Sequence, residues 1–168
     1  MGSNIEEKPG IDLLTRDREL VWHPFTPLIG SEENLVITSG KGAKLYTAEG
    51  KEIIDAIASW WVNLHGHANT QIAQAIALQA QRLEHVMFAG FTHKPAIQLA
   101  ENLLSVLPEN QGKVFFSDNG STSVEVALKM ALQYFHNKGQ VRNKVIALDG
   151  AYHGDTFGAM SVGERGAF

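Results

Sequence analysis

The order of apolar and polar positions changes character twice along the chain. Short runs of β-forming residues occupy 35–58, and Glu49-Gly50 between two of them is a turn signal, so a small antiparallel meander is predicted there. From Ala68 to His85 the apolar residues recur at helical spacing, which predicts an amphipathic helix. A polar lead containing a short helical stretch at 15–20 precedes the meander.

Beyond the first long helix, helical segments alternate with short apolar runs. Pro95 opens a helical segment that stops before Pro108, and a second amphipathic helix is predicted from Ser121 to Lys138, closed by Gly139. Three apolar runs are strand candidates: 113–117, 144–148 and 158–162. Strands alternating with helices are typical of parallel βα units, so the predicted fold class is α/β.

The length sets an expectation for the domain organisation. A chain of 168 residues that is 44% hydrophobic and 19% charged is long enough for one domain with a real core. Two or three strands are few for a parallel sheet, which must be covered on both faces. We therefore expect the N-terminal part of a longer protein, with an N-terminal segment and meander at 1–66 and the apparently truncated start of a large domain at 67–168.

Charge and composition exclude several classes of protein. The formal net charge is −4 and no cluster of basic residues occurs, which argues against a nucleic-acid partner or a polybasic membrane patch. The chain has no cysteine, so disulfides and thiolate metal sites are excluded. The first twenty residues are polar, and no apolar run approaches the length of a membrane span. The expected location is the cytoplasm.

The segment 117–122, Ser-Asp-Asn-Gly-Ser-Thr, lies where an apolar run gives way to a helix. The first turn of a helix presents unpaired N–H groups and the positive end of the helix dipole. Gly120 lets a ligand approach the backbone, Ser121 and Thr122 add hydroxyls, and Glu125 could complete a capping box, so a phosphate cradle is one interpretation. The alternative is that Asp118, Asn119 and Ser121 only cap the helix.

Aromatic residues are the next candidates for a binding site. Tyr152 lies in a glycine-rich loop after a strand candidate, where an aromatic face could stack on a planar cofactor or could simply pack. On a strand, Trp60 and Trp61 would face opposite ways, so that one could be core and the other line a cavity, although packing alone would also explain the pair. The segment around Phe25 is irregular and by itself indicates little.

Metal and lysine chemistry have weak support. His65 and His67 could bind a metal, but no glutamate at metalloprotease spacing accompanies them, and no metal site is predicted. The lysines lie in polar turns and on helix surfaces, without the apolar surroundings that lower an amine pKa for Schiff-base chemistry.

Five segments in this order resemble the class III, fold-type I pyridoxal-phosphate aminotransferases, and more narrowly their biotin-pathway branch. The segments are WHPFTPL, IDAIASWWVNLHGHAN, HVMFAGFTHKPAIQLAENLL, VFFSDNGSTSVEVALKMALQYF and GAYHGDTFGAMSVG. The resemblance covers nearly everything from Val21 to Gly163. It implies a homodimer that uses pyridoxal 5'-phosphate to transfer an amino group from S-adenosylmethionine to 8-amino-7-oxononanoate, giving 7,8-diaminononanoate.

The resemblance also implies roles for individual residues. Gly120 and Ser121 would bind the cofactor phosphate, Tyr152 would stack on the pyridine ring and border the substrate, and Trp60 would wall the substrate site. No catalytic residue is expected in this chain, because the family's Schiff-base lysine lies further downstream. Phe25 stands where adenosylmethionine-using members typically have tyrosine, so lysine is an alternative amino donor. The rival interpretations are another class III ω-amine aminotransferase and a non-catalytic, truncated interaction fragment.

Overall fold

The computed structural model describes residues 13–164. The chain divides into two compact units, Met1–His85 and Val86–Phe168. The division falls between two helices, whereas the predicted domain boundary lies at residues 66 and 67. That domain prediction concerns the complete fold and stays a prediction. The polar lead before residue 13 lies outside the described residues.

The first unit begins with helix α1, Leu13–Leu20, as predicted for 15–20. The Asp17 carboxylate on this helix binds His23 Nε2 at 2.9 Å and accepts a hydrogen bond of 2.9 Å from the Asn34 side chain. These bonds fasten the irregular segment that follows α1 back onto the helix. They also lower the pKa of the Asp17 carboxyl, with Asn34 the largest cause.

The predicted antiparallel meander is present. Strands β1 (Ile37–Lys41), β2 (Lys44–Thr47) and β3 (Glu52–Ile54) pair in the order β1-β2-β3. Both pairings are antiparallel, with Leu45 opposite Gly40 on one side and Ile53 on the other. Gly50 has φ +80° and its N–H donates to the Thr47 carbonyl at 3.0 Å, which is the turn that Glu49-Gly50 predicts.

Two helices complete the first unit. Helix α2, Ala58–Trp61, has only four residues, and helix α3 extends over Thr70–Arg82. The Asn69 side chain caps α3 by accepting from the N–H groups of Gln71 and Ile72, both at 3.1 Å. The helix at 68–85 is thereby confirmed. Trp60 and Trp61 lie in α2 and not on a strand, so the alternation of strand side chains does not apply to them.

The second unit contains three helices among the described residues. They are α4 (Lys94–Val106, with Pro95 in its first turn), α5 (Gly120–Asn137) and α6 (Phe157–Ser161). Gly139, at φ +68°, follows the end of α5, as predicted. The run 158–162 belongs to α6 and its C-cap, so its prediction as a strand is wrong.

The other two strand candidates, 113–117 and 144–148, are not strands either. Neither segment has a ladder partner within 13–164, where the only sheet is the meander. A strand exists only through hydrogen bonds to a neighbour. Apolar composition marks a segment that could pair, but it does not supply the neighbouring strand.

The described residues bury very little. Only Thr47, Gly154 and Ala159 are buried within this range, so the expectation of a real core is wrong for these residues. The apolar faces of α3, α4 and α5 remain open, with Ile76 65% exposed and Val106 79% exposed. In the described range no helix has both the length and the apolar character needed to cross a membrane.

Candidate functional site

The start of α5 is held by its own capping residue. The Asn119 side chain accepts from the Thr122 N–H at 2.9 Å, and the Thr122 hydroxyl accepts from the Asn119 N–H at 3.1 Å. This reciprocal pair is a capping box. The predicted box through Glu125 is wrong, because Asn119 precedes the first helical residue and places Thr122, not Glu125, in the reciprocal position. The capping interpretation holds for Asn119.

Capping leaves two donors of the first turn without partners. Among the described residues, nothing accepts a hydrogen bond from the N–H of Gly120 or of Ser121. A Cβ added to Gly120 would have no atom within 4 Å, so the space beside this backbone is open. The N-terminus of an 18-residue helix carries a partial positive charge. The residues present therefore fit an anion such as a phosphate.

The loop at 151–156 docks directly on this helix end. The Ser121 hydroxyl oxygen accepts from the Asp155 N–H at 3.1 Å, which leaves the hydroxyl proton free to donate. Gly154 has φ +115°, and a Cβ there would lie 2.6 Å from Ser121 Cβ and 2.7 Å from Ser121 Cα. Only glycine allows the two backbones to approach this closely.

Tyr152 stands on the same loop. Its hydroxyl donates to Asp155 Oδ2 at 2.8 Å, and this bond is the main cause of the raised pKa of the Tyr152 phenol. The side chain is 64% exposed, so a ring face remains available for stacking. Asp155 therefore fixes the tyrosine through its carboxylate and contacts Ser121 through its N–H.

Glu125 anchors the loop one turn further along α5. Its Oε1 accepts from the Gly158 N–H at 2.6 Å, and a Cβ on Gly158 would overlap the Glu125 carboxylate. The glutamate thus ties the start of α6 to α5. This position explains why its side chain takes no part in capping.

The first unit brings the other two predicted residues together. The rings of Phe25 and Trp60 lie with centroids 5.4 Å apart at an interplanar angle of 53°, within the range of favourable aromatic contacts. Both rings remain more than half exposed, at 68% and 59%. The five predicted site residues thus form two groups: Gly120, Ser121 and Tyr152 in one unit, and Phe25 and Trp60 in the other.

Trp60 lies in a turn of unusual conformation. All four residues of α2 have positive φ, from 47° to 72°, which costs roughly 1–2 kcal/mol per residue for L-amino acids. Asp55 accepts from the Ser59 N–H and hydroxyl and also binds His67. These contacts, led by the Ser59 N–H, lower the pKa of the Asp55 carboxyl to about 2.

Sequence reasoning missed Asp55, Gly154 and Asp155. The spacing Tyr152-x-x-Asp155 is the one signal that could have suggested a local hydrogen bond. The bonds of Asp155 to Ser121 and of Asp55 to His67 join positions far apart in sequence, and no local pattern predicts them. His67 is thus committed to a carboxylate, and within residues 13–164 no group of three or more metal-ligating side chains occurs.

The chain belongs to the class III aminotransferases, because the family model "Aminotransferase class-III" matches residues 29–167. These are fold-type I, pyridoxal-phosphate-dependent enzymes that act on small molecules. The predicted fold class and the predicted cofactor are confirmed at the level of the family. The open backbone at Gly120 and Ser121 fits the phosphate of such a cofactor.

Among its relatives, the adenosylmethionine-8-amino-7-oxononanoate aminotransferase of Synechococcus elongatus is 63% identical over 88% of this chain and 35% of its own length. The crystal structure of the Methanocaldococcus jannaschii enzyme of that name gives a TM-score of 0.86 at 41% identity, covering 90% of this chain and 35% of that one. A thermostable ω-transaminase variant from Pseudomonas jessenii also gives 0.86, at 28% identity, covering 92% and 35%.

The chain spans about a third of the length of the curated relatives it matches. The fold is shared equally with enzymes of two different names, since both solved structures give the same TM-score. Sequence identity, and not backbone likeness, therefore separates the two branches of the family.

Proposed function

We propose that the complete protein transfers an amino group to 8-amino-7-oxononanoate, giving 7,8-diaminononanoate for biotin synthesis. The names of the relatives support this, from 63% identity in Synechococcus elongatus to 46% in Staphylococcus aureus. The structural observation that carries the proposal is the pair of unpartnered N–H groups at the start of α5, beside the docked Tyr152 loop. A cytoplasmic homodimer is part of the same proposal.

Pyridoxal phosphate supplies the electron sink for transamination when it is bound. The N–H groups of Gly120 and Ser121, with the Ser121 hydroxyl, would hold its phosphate at the positive end of α5. The exposed face of Tyr152 would stack on its ring. Asp155 would keep that ring in place, because the carboxylate accepts the phenol proton at 2.8 Å.

The aromatic pair of the first unit would bind the substrates. Trp60 would wall the substrate site, and Phe25 would contribute a ring face without a hydroxyl. A donor that depends on a tyrosine hydroxyl would lose one hydrogen bond at this position. S-adenosylmethionine is the amino donor we propose first, and lysine is the second candidate because Phe25 lacks that group.

The Schiff-base lysine that transamination requires is proposed to lie outside this chain. Every lysine among residues 13–164 is exposed, whereas a lysine nucleophile is activated by desolvation or a neighbouring cation. We therefore assign no catalytic residue to the chain. Its residues would bind and orient the cofactor and the substrates.

The test uses the complete enzyme reconstituted with pyridoxal phosphate. The cofactor absorbance should change on adding S-adenosylmethionine or lysine, and 7,8-diaminononanoate should form when 8-amino-7-oxononanoate is present. Ser121→Ala should weaken cofactor binding by about tenfold, since it removes a hydrogen bond to a charged group. Ser105→Ala on the exposed face of α4 is the matched control. Absence of any spectral change with both donors would refute the proposal.

A second candidate function is transamination of an ω-amine. It is favoured by the TM-scores of 0.80 to 0.86 to several other transaminases. A panel of amine donors and keto acceptors decides between the two. Turnover of ω-amines without turnover of 8-amino-7-oxononanoate would select this second function.

A further inference from the structure

The turn at α2 has a conformation that its own residues do not favour. The φ angles of Ala58, Ser59, Trp60 and Trp61 are 49°, 47°, 62° and 72°. None of the four is glycine, so each pays the steric cost of the left-handed region. Such conformations persist only where the surrounding structure imposes them, and they are concentrated at functional sites.

Burial does not explain this turn. Trp60 and Trp61 are 59% and 73% exposed, so the conformation does not place either ring in a core of the described residues. The turn instead sets the Trp60 ring beside Phe25, with the centroids 5.4 Å apart. The strained backbone therefore presents an aromatic surface.

The Asp55 carboxylate is hydrogen-bonded to the second residue of the turn. Its Oδ1 accepts from the Ser59 N–H at 2.9 Å, and its Oδ2 accepts from the Ser59 hydroxyl at 2.7 Å. The side chain is only 6% exposed. Because a buried carboxylate without partners is costly, these bonds favour the left-handed position of Ser59 over the ordinary one.

His67 fixes Asp55 from the opposite side. Its Nε2 lies 2.7 Å from Asp55 Oδ2, and its backbone exchanges hydrogen bonds of 3.0 and 2.8 Å with Gly42. A Cβ on Gly40 would lie 2.8 Å from His67 Cβ, so the imidazole packs on the meander. His67 thus connects the Asp55 carboxylate to the sheet, and Asp55 in turn connects the sheet to the turn.

We propose that Asp55 is a positioning residue for substrate binding. It holds Ser59 in the left-handed conformation and thereby sets the Trp60 ring against Phe25. The inference rests on the proposed function, in which Trp60 borders the substrate, and it adds that the orientation of Trp60 depends on a carboxylate that does not itself contact the substrate.

The first test is Asp55→Asn in the complete enzyme. The KM for the amino acceptor should rise about tenfold, because a displaced Trp60 ring would lose the substrate contacts that the correctly placed ring makes. The kcat and the affinity for pyridoxal phosphate should change less than about twofold. Glu109→Gln, at an exposed carboxylate without a hydrogen bond or ion pair among the described residues, is the matched control and should alter neither.

Two double variants separate positioning from general destabilisation. In a Trp60→Ala background, Asp55→Asn should raise KM by no more than about twofold, since the ring it positions is gone. Ala58→Gly should recover most of the KM of Asp55→Asn, because glycine adopts positive φ without steric cost. If Asp55→Asn does not fold, Ser59→Ala removes the hydroxyl bond alone and should raise KM about threefold.

A spectroscopic readout keeps this inference distinct from the proposed function. With Trp22, Trp61 and every tryptophan in the rest of the complete enzyme replaced by phenylalanine, the Trp60 emission should shift on Asp55→Asn and shift back on adding Ala58→Gly. An unchanged emission overturns the positioning role whether or not the enzyme transaminates. A wild-type KM in Asp55→Asn, or an equal rise in the Trp60→Ala background, overturns it also. An inactive wild-type enzyme overturns the proposed function.

Discussion

The start of α5 and the turn at α2 present functional groups by different means. At α5 the backbone is relaxed: Asn119 completes a local capping box, and the N–H groups of Gly120 and Ser121 point outward because any helix begins this way. At α2 the backbone is strained, and a carboxylate bound to a distant histidine maintains it. Local contacts describe the first region, whereas the second combines the local bonds of Asp55 to Ser59 with the long-range bond of Asp55 to His67.

The difference between the two regions decides whether a single substitution changes ligand affinity, stability or both. A relaxed site should lose ligand affinity without losing stability, provided that the altered group only faces the ligand. A close backbone approach or a strained turn should couple both properties.

Gly154→Ala should be the most damaging change. Its Cβ would lie 2.6 Å from Ser121 Cβ at a residue with φ +115°, so the loop must move away from α5. We expect a loss of about 3 kcal/mol in stability together with loss of cofactor binding, measured by thermal unfolding and by absorbance titration. Gly112→Ala, where an added Cβ meets nothing within 4 Å, should leave both properties unchanged. Equal behaviour of the two variants would contradict the docked loop.

Gly120→Ala should separate affinity from stability. The new methyl group would meet no atom of the chain within 4 Å, so the melting temperature of the cofactor-free enzyme should stay the same or rise slightly. The methyl group would enter the space proposed for the phosphate and raise the Kd for pyridoxal phosphate about tenfold, which corresponds to about 1.4 kcal/mol. Unaltered affinity would place the phosphate elsewhere.

The two capping asparagines form a matched pair. Asn119→Ala and Asn69→Ala each remove a helix cap and should each cost about 1 kcal/mol in the free energy of unfolding. Only Asn119→Ala should also weaken cofactor binding, because only α5 holds the proposed phosphate site. Urea unfolding and absorbance titration measure the two quantities, and a cofactor defect in Asn69→Ala would argue against a local cause.

Acid titration should reveal the strained turn through the pH dependence of unfolding. The pKa of Asp55 falls from 3.8 to about 2 on folding, chiefly through the Ser59 N–H. A lowered carboxyl pKa stabilises the fold above the unfolded value, and this contribution is lost as the pH falls from about 4 to about 2. Asp55→Asn should flatten this part of the pH dependence of unfolding, and an identical profile would contradict the pKa shift.

Local sequence patterns predicted most of the helices. The periodicity at 68–85, Pro95, and the Gly139 stop each marked an element that the structure contains, since short-range sterics and hydrogen bonds decide such features. The same reasoning failed at 158–162, where four of the five residues belong to the short helix α6, which packs on α5. In runs this short, packing outweighs intrinsic preference.

The candidate site was predicted unevenly for a related reason. Gly120 and Ser121 could be proposed from the general chemistry of helix ends, while Trp60 and Phe25 came from the family resemblance alone. The contact between those two rings joins positions 35 residues apart. Local sequence patterns cannot predict a contact over such a separation. The sequence did not predict the roles of Asp155 and Asp55, because these roles depend on partners that come near only when the chain folds.

Sequence patterns were enough to predict the family, the end of α5 at Gly139, the meander and the cofactor phosphate corner we propose, because each depends on neighbours within a few residues or on whole motifs. Only the tertiary structure showed that Gly154 touches Ser121, that Glu125 holds the start of α6, and that Asp55 binds His67. The physical reason is the same in each case. A hydrogen bond or a steric contact between distant residues has no periodic trace in the chain, and it acquires its energy only when folding removes the space between them.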